Sequence, residues 1–253
     1  MKTLLLATFF VSSTMSMLAQ TDPKATEVWQ PEPKIVTPGK TPADAPSDAI
    51  ILFDGKDLEQ WVSTNDTNTS AKWKVSDGII TVDKKTGNIQ TKRRFTDYQL
   101  HIEWRIPENI TGKDQGRGNS GVFLASTGRG DDGYEIQVLD CYNNKTYVNG
   151  QTGSIYKQSI PLANACKKPG EWQVYDIVWT APRFNDDGSL RSAARITAIH
   201  NGVLIQNNVE LKGATVYIGK PEYKKHGALP IKLQAHGDPS EPISFRNIWV
   251  REL

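Results

Sequence analysis

Five polar side chains on two short runs carry the clearest chemical signal in this chain of 253 residues. In Tyr134-Glu135-Ile136-Gln137-Val138, strand alternation puts Glu135 and Gln137 on one face and Tyr134, Ile136 and Val138 on the other. The run Ile231 to His236 repeats the arrangement, lining up Lys232, Gln234 and His236. If the two runs are neighbours in one curved sheet, a carboxylate, two amides, an ammonium and an imidazole converge in a single groove. Such a set could bind and polarise a polyhydroxylated ligand. A solvated outer face of a sandwich also alternates polar residues. Two uncharged glutamines beside ionisable groups, on two separate runs, favour a site. His236 also precedes Gly237-Asp238-Pro239, a strand end from which a side chain can reach a groove rim. The remaining histidines are weaker candidates: His200 at a hairpin, His226 in a Lys-rich loop and His101 on a strand.

Several catalytic signatures are missing. No G-x-S-x-G elbow, H-E-x-x-H helix or P-loop occurs, which removes the usual serine hydrolases, zincins and P-loop enzymes. The stretch Glu135 to Asp140 invites comparison with the paired carboxylates of a retaining glucanase, but an offset of five puts Asp140 on the opposite face. Glu135 and His236 could both be ligands of a divalent metal on neighbouring strands. They lack a fixed-spacing motif, and no cofactor is otherwise indicated.

The elements that must hold these groups read as β structure. Short runs rich in Val, Ile, Tyr and Trp are separated by turn dipeptides such as Asp77-Gly78, Asn149-Gly150 and Asn201-Gly202. In Leu100 to Ile106 the apolar residues 100, 102, 104 and 106 share a face, and His101, Glu103 and Arg105 share the other. Trp172 to Thr180 and the Ile196 to Ile205 hairpin are also strand-like, and no convincing amphipathic helix exceeds two turns. The residues alone predict an all-β sandwich of two sheets in one domain.

The charge balance, 30 Lys+Arg against 28 Asp+Glu with no cationic run longer than three, argues against a nucleic-acid partner. No apolar run approaches the roughly 20 residues of a membrane span. Residues 1–19 read as a signal peptide: Lys2, an apolar block from Leu4 to Val11, and Ala19 before the cleavage point. This predicts export to the periplasm or beyond, an oxidising setting in which Cys141 and Cys166 could bridge. Residues 20–48 hold six of the fourteen prolines and read as an extended leader or arm, with the folded domain over 49–253.

A family resemblance then emerges from motifs taken together. The stretches 52–61 (LFDGKDLEQW), 73–78 (WKVSDG), 118–124 (GNSGVFL), 134–140 (YEIQVLD), 152–156 (TGSIY), 233–237 (LQAHG) and 245–249 (FRNIW) resemble, in order, the 3-keto-disaccharide hydrolase family. That family is also described as 3-keto-glucoside 1,2-lyases and 3-keto-2-hydroxyglucal hydratases. The resemblance implies a concanavalin A-like jelly-roll sandwich of two curved antiparallel sheets, with carbohydrate chemistry on the concave face. It implies site roles for Asn119, Glu135, Gln137, Tyr156, Gln234, His236 and Arg246.

A ketone at C3 acidifies the C2 proton of a glucoside, so one base and one oxyanion donor suffice to expel the C1 aglycone. His236 or Glu135 is then the expected base, and Arg246, Lys232 or Gln234 the oxyanion partner. Asn119, Gln137 and Tyr156 are expected to hold hydroxyls. Hydration of the resulting 2-hydroxyglucal would use the same groups in the opposite sense. A non-catalytic carbohydrate-binding module would instead expose aromatic platforms, with Trp29, Trp61 and Tyr142 as candidates. A conventional glycosidase would need a second carboxylate near Glu135, from Asp140, Asp238 or Glu103.

Overall fold

A computed structural model describes residues 22–253, and the signal segment expected over 1–19 lies outside the described residues. Two compact units divide at Ile35 and Val36. In the described part of the first, Asp22 caps a single 3-10 turn at Pro23–Thr26.

From Val36 onward the alternating runs form strands, and the expected turns close them. Asp77-Gly78 and Asn201-Gly202 each place both residues at positive φ (53° and 75°, 51° and 82°), the left-handed pair that a tight hairpin requires. In chain order the strands are β1 (Ile50–Phe53), β2 (Trp61–Ser63), β3 (Lys74–Ser76), β4 (Ile79–Thr81), β5 (Ile89–Thr91), β6 (Tyr98–Arg105), β7 (Ser120–Ser126) and β8 (Gly133–Val138). They continue with β9 (Trp172–Thr180), β10 (Arg183–Phe184), β11 (Leu190–Ser192), β12 (Arg195–His200), β13 (Val203–Glu210), β14 (Lys232–Leu233) and β15 (Ser244–Glu252).

An eight-stranded sheet runs β13-β12-β9-β6-β15-β4-β3, with β1 also paired to β15, and a five-stranded sheet runs β2-β5-β14-β7-β8. The ladders are antiparallel. This is the two-sheet jelly-roll sandwich that the resemblance implied.

The inner faces follow the predicted parity. Leu100, Ile102 and Trp104 of the large sheet are buried in one core cluster with Val122, Leu124, Ile136, Val138 and Leu233 of the small one. Each such side chain contributes roughly 1.5–3 kcal/mol. Two tyrosines fasten the sheets across this core: Tyr98 donates to the Leu124 carbonyl at 2.6 Å and Tyr175 to the Gln137 carbonyl at 2.8 Å. The second bond anchors the backbone of a candidate site residue.

On the outer face of the large sheet, His101 Nδ1 lies 2.7 Å from Asp176, and Arg246 and Asn247 donate to Glu103 at 2.6 and 2.9 Å. Asn247 and Trp249 both donate to the Ala43 carbonyl, and Arg251 pairs with Asp48. Residues 36–48 of the Pro-rich stretch therefore belong to the jelly-roll unit, fastened to β15. Cys141 and Cys166 are free thiols, and Cys141 Sγ accepts from the Thr152 backbone and hydroxyl at 3.1 and 3.0 Å. No described helix is long and apolar enough to cross a membrane.

Candidate active site

The small sheet brings the two polar runs within one strand of each other, with β7 between β8 and β14. Register then aligns their side chains. Glu135 stands opposite Phe123, Phe123 opposite Lys232, and Lys232 opposite Gln90, forming one row across the sheet. Gln137 stands opposite Gly121, whose carbonyl accepts from the Gln234 backbone, and these make the next row. A solvated outer face would leave such residues exposed. Glu135 and Gln234 are instead 5% exposed and Gln137 1%.

Loops cover this face. The free edge of β8 is paired by two irregular segments: Gln137 exchanges backbone bonds with Gly153 and Ser154, while Thr215 Oγ1 accepts from the Glu135 backbone and Thr215 N–H donates to Gly133. The first segment carries Tyr156 and the second Tyr217. Between these loops and the sheet lies a cleft of about 710 Å³ lined by Asn119, Glu135, Gln137, Tyr156, Gln234 and His236, together with Asp114, Gln115, Asp131, Tyr147, Thr215 and Tyr217.

Burial pushes the Glu135 carboxyl up to about 8, the Asp131 charge adds to the effect, and the Lys232 ammonium opposes it. At neutral pH Glu135 is thus mostly a neutral acid. Its space comes from Gly121, where a Cβ would collide with the carboxyl group.

His236 is anchored from behind. Its Nδ1 lies 3.1 Å from Asp238 Oδ2, and that carboxylate also takes Lys84 Nζ at 3.0 Å and bonds from Ser240. Burial would raise Asp238, but His236, Ser240 and Lys84 outweigh it and hold the group at about 2. The Asp238 carboxylate favours a proton on Nδ1, which leaves the Nε2 lone pair free, whereas the Asp238 backbone N–H, 3.2 Å from the same nitrogen, favours a lone pair there.

Asn119 and Gln137 are locked together by a 2.8 Å bond from Gln137 Nε2 to Asn119 Oδ1, and Asn119 in turn donates to the Gln115 carbonyl. Gln234 Oε1 is buried with no hydrogen-bond partner, although the residue lines the cleft. The arrangement supplies an acid, an imidazole and fixed amides in one polar cleft.

Two expected residues do not take part. Lys232 is fully buried, and its ammonium donates to the Gly128, Gly130 and Asp132 carbonyls and lies 4.2 Å from the Phe123 ring centre. All its donors are spent on the 128–132 loop, so it holds that loop instead of a substrate oxygen. Arg246 belongs to β15 of the other sheet, where its guanidinium lies 4.0 Å from the Trp172 ring centre and bonds Glu103. Parity sends it outward because Phe245 fills the core.

The suggested platforms are also displaced: Trp61 is buried, Trp29 falls in the first unit, and Tyr142 is absent from the cleft lining. Asp140 pairs with Arg117 at 2.8 Å, Asp238 sits behind His236, and Glu103 lies on the outer face of the large sheet. The second carboxylates of the cleft are instead Asp131 and Asp114.

Asp131, Tyr147 and Tyr217 lie in loops whose sequence has no alternation to assign them a face. Asn88 was missed for the same reason: its side chain accepts from the Ala235 backbone at 2.7 Å and donates to Gly130 at 2.8 Å, joining the His236 segment to the Asp131 loop. Glu135 and His236, the two possible metal ligands, do line one cleft. Among the described residues, however, no three His, Cys, Asp or Glu side chains gather closely enough to hold a metal ion.

Residues 48–251 match the 3-keto-alpha-glucoside-1,2-lyase-like domain. The chain belongs to that family. The chain is also 59% identical to a "putative glycosyl hydrolase" from Parabacteroides distasonis ATCC 8503 of known crystal structure, with a TM-score of 0.85 over 92% of this chain and 97% of that one. Another crystal structure from the same organism, under the same description, is 24% identical with a TM-score of 0.57 over 81% and 99% of the two chains, and supports the fold alone. A comparison with curated proteins finds no match. This lyase-like domain is a carbohydrate-active enzyme, and its polar cleft suits a carbohydrate substrate.

Proposed function

We propose that the protein is an exported enzyme that cleaves 3-keto-glucosides, including 3-keto-disaccharides, by removing the C2 proton and eliminating the C1 aglycone. The observation that carries this reading is the pairing, in one cleft, of a carboxyl pushed up to about 8 and an imidazole whose Nδ1 is held by an ionised aspartate. His236 Nε2 takes the C2 proton, which the neighbouring ketone has made acidic. The developing enolate at the C3 oxygen accepts a hydrogen bond from the Gln234 amide. Neutral Glu135 gives its proton to the departing glycosidic oxygen. Asn119 and Gln137, already fixed to each other, hold the sugar hydroxyls at little entropic cost. Addition of water to the 2-hydroxyglucal product would run through the same acid and base with their roles reversed. The near-neutral chain suits an uncharged keto-sugar.

The test compares a 3-keto-glucoside with its unoxidised parent and follows release of the aglycone. Cleavage of the keto-sugar alone is expected. Equal cleavage of both would replace this reading with two-carboxylate hydrolysis by Glu135 with Asp131 or Asp114, the carboxylates that share its cleft. Binding of both without turnover would leave a carbohydrate-binding module.

A further inference from the structure

The cleft has two chemically distinct sides. Asn119, Glu135, Gln137, Gln234 and His236 form a polar floor, whereas Tyr147, Tyr156 and Tyr217 form an aromatic wall. Tyr147 and Tyr156 meet edge to face with ring centres 6.2 Å apart and their hydroxyls 2.6 Å from each other. Lys157 joins this pair to the third ring. Its ammonium lies 4.1 Å from the Tyr217 ring centre and 5.5 and 5.8 Å from those of Tyr156 and Tyr147, and it donates to the Tyr217 carbonyl at 2.7 Å. Lys157 holds this place at φ 58°, a backbone conformation that a non-glycine residue adopts only under constraint. Tyr217 is nevertheless 71% exposed, so most of its ring remains available.

Position relative to the acid and base indicates what the wall meets. Tyr156 and Tyr217 are carried by segments paired to the free edge of β8, the strand of Glu135, and Thr215 bonds the Glu135 backbone itself. His236 follows β14, on the far side of β7. In the elimination proposed above, Glu135 faces the departing oxygen and His236 faces C2, so the wall stands on the leaving-group side.

We propose that Tyr147, Tyr156 and Tyr217 form an aglycone subsite for a leaving group that presents a flat ring face, either a second pyranose or an aryl ring. Stacking on tyrosine uses the C–H face of a sugar or the π face of an arene alike, and the Lys157 ammonium fixes the rings before the ligand arrives. This subsite rests on the elimination reading for its orientation, and its ring selectivity can be measured without turnover.

The experiment uses Tyr217→Ala, a change at an exposed side chain, in the full chain. Values of kcat/KM are measured on 3-keto-glucosides with methyl, phenyl and glucosyl aglycones. Calorimetry in parallel measures binding of the unoxidised methyl, phenyl and glucosyl glucosides. The variant is expected to lower the preference for a ringed aglycone over methyl by about tenfold, the worth of one aromatic contact. Loss confined to phenyl, or to glucosyl, assigns the subsite to that ring. An unchanged preference in both kinetics and binding overturns the proposal. If the wild-type protein turns over no keto-sugar, the elimination reading fails, and the binding preference alone then upholds or overturns the ring subsite.

Discussion

The Glu135 carboxyl occupies the space that a side chain at Gly121 would need. The two residues are diagonal neighbours across β7 and β8, Gly121 standing opposite Gln137 and Glu135 opposite Phe123, and a Cβ at position 121 would meet Oε1, Cγ and Cδ of Glu135. The φ of Gly121 is not in the left-handed region, so the glycine is required for space and not for backbone freedom.

Gly121→Ala should therefore leave the strand intact and displace the acid. Because Glu135 is buried and the end of its side chain must move, aglycone release is expected to fall by at least roughly tenfold. Loss of stability should stay within about 1–3 kcal/mol, the usual range for overpacking. Steady-state kinetics beside urea unfolding check the two numbers. Full activity in this variant would show that the position of Glu135 does not matter.

The raised pKa of Glu135 gives activity a direction with pH. The carboxyl is protonated below about 8, so its acid function is complete at lower pH and fades as pH rises through that value. Glu135→Gln should abolish this limb together with most of the rate. Stability has the same sign: the native carboxyl holds its proton between its ordinary value of 4.5 and about 8, so its linkage favours the fold less as pH climbs across that window. Glu135→Gln, which cannot ionise, should be more stable than the wild type at pH 9. Urea unfolding at pH 5 and pH 9 measures the difference.

Asp238→Asn tests how His236 is held. Removing the charge removes the reason for Nδ1 to carry the proton, which should cost turnover roughly 10- to 1,000-fold with substrate binding less affected. The substitution also breaks the Lys84 pair, so an unfolding curve must accompany the kinetics. An NMR measurement of the His236 ring nitrogens reports the tautomer directly. A proton on Nε2 in the wild type would contradict the base role.

The outer cluster around His101 should govern stability and not turnover. Burial alone would lower His101, but hydrogen bonds and charge from Asp176 and Glu103 raise it to about 9. Burial would raise Glu103, and His101, Asn247 and Arg246 together hold it at about 2. The His101 contribution is complete below its ordinary value of 6.5 and lost as pH rises through about 9. The Glu103 contribution is present above 4.5 and lost as pH falls through about 2. His101→Ala should cost roughly 1–3 kcal/mol near pH 6, since it removes the charged partner of half-buried Asp176 while Arg246 and Asn247 still hold Glu103, and less at pH 10. Denaturant unfolding at both values decides it.

Most of the site floor was legible in the sequence because strand parity is a local rule. The alternation around Glu135 and around Gln234 assigned their faces correctly, and those of the core residues opposite. Arg246 and Lys232 show where that rule stops. Parity sends Arg246 out of the core, but only the sheet order reveals that this face belongs to the other layer. Lys232 points to the same side as Glu135, yet the loop between β7 and β8, 100 to 104 residues earlier in the chain, captures its three protons through the carbonyls of residues 128, 130 and 132.

The sequence by itself determined the strand character of this chain, the inward and outward sense of the runs around Leu100, Glu135 and Gln234, and a family whose model matches residues 48–251. It determined these because alternation and tight-turn chemistry act over a few residues. Tertiary structure alone decided which polar groups share a cleft, that the polar face of the small sheet is buried, and that loops paired to the edge of β8 bring a tyrosine wall beside Glu135. The shift of Glu135 to about 8 belongs to this second class, because burial and the Asp131 charge come from chain segments whose approach no local pattern records.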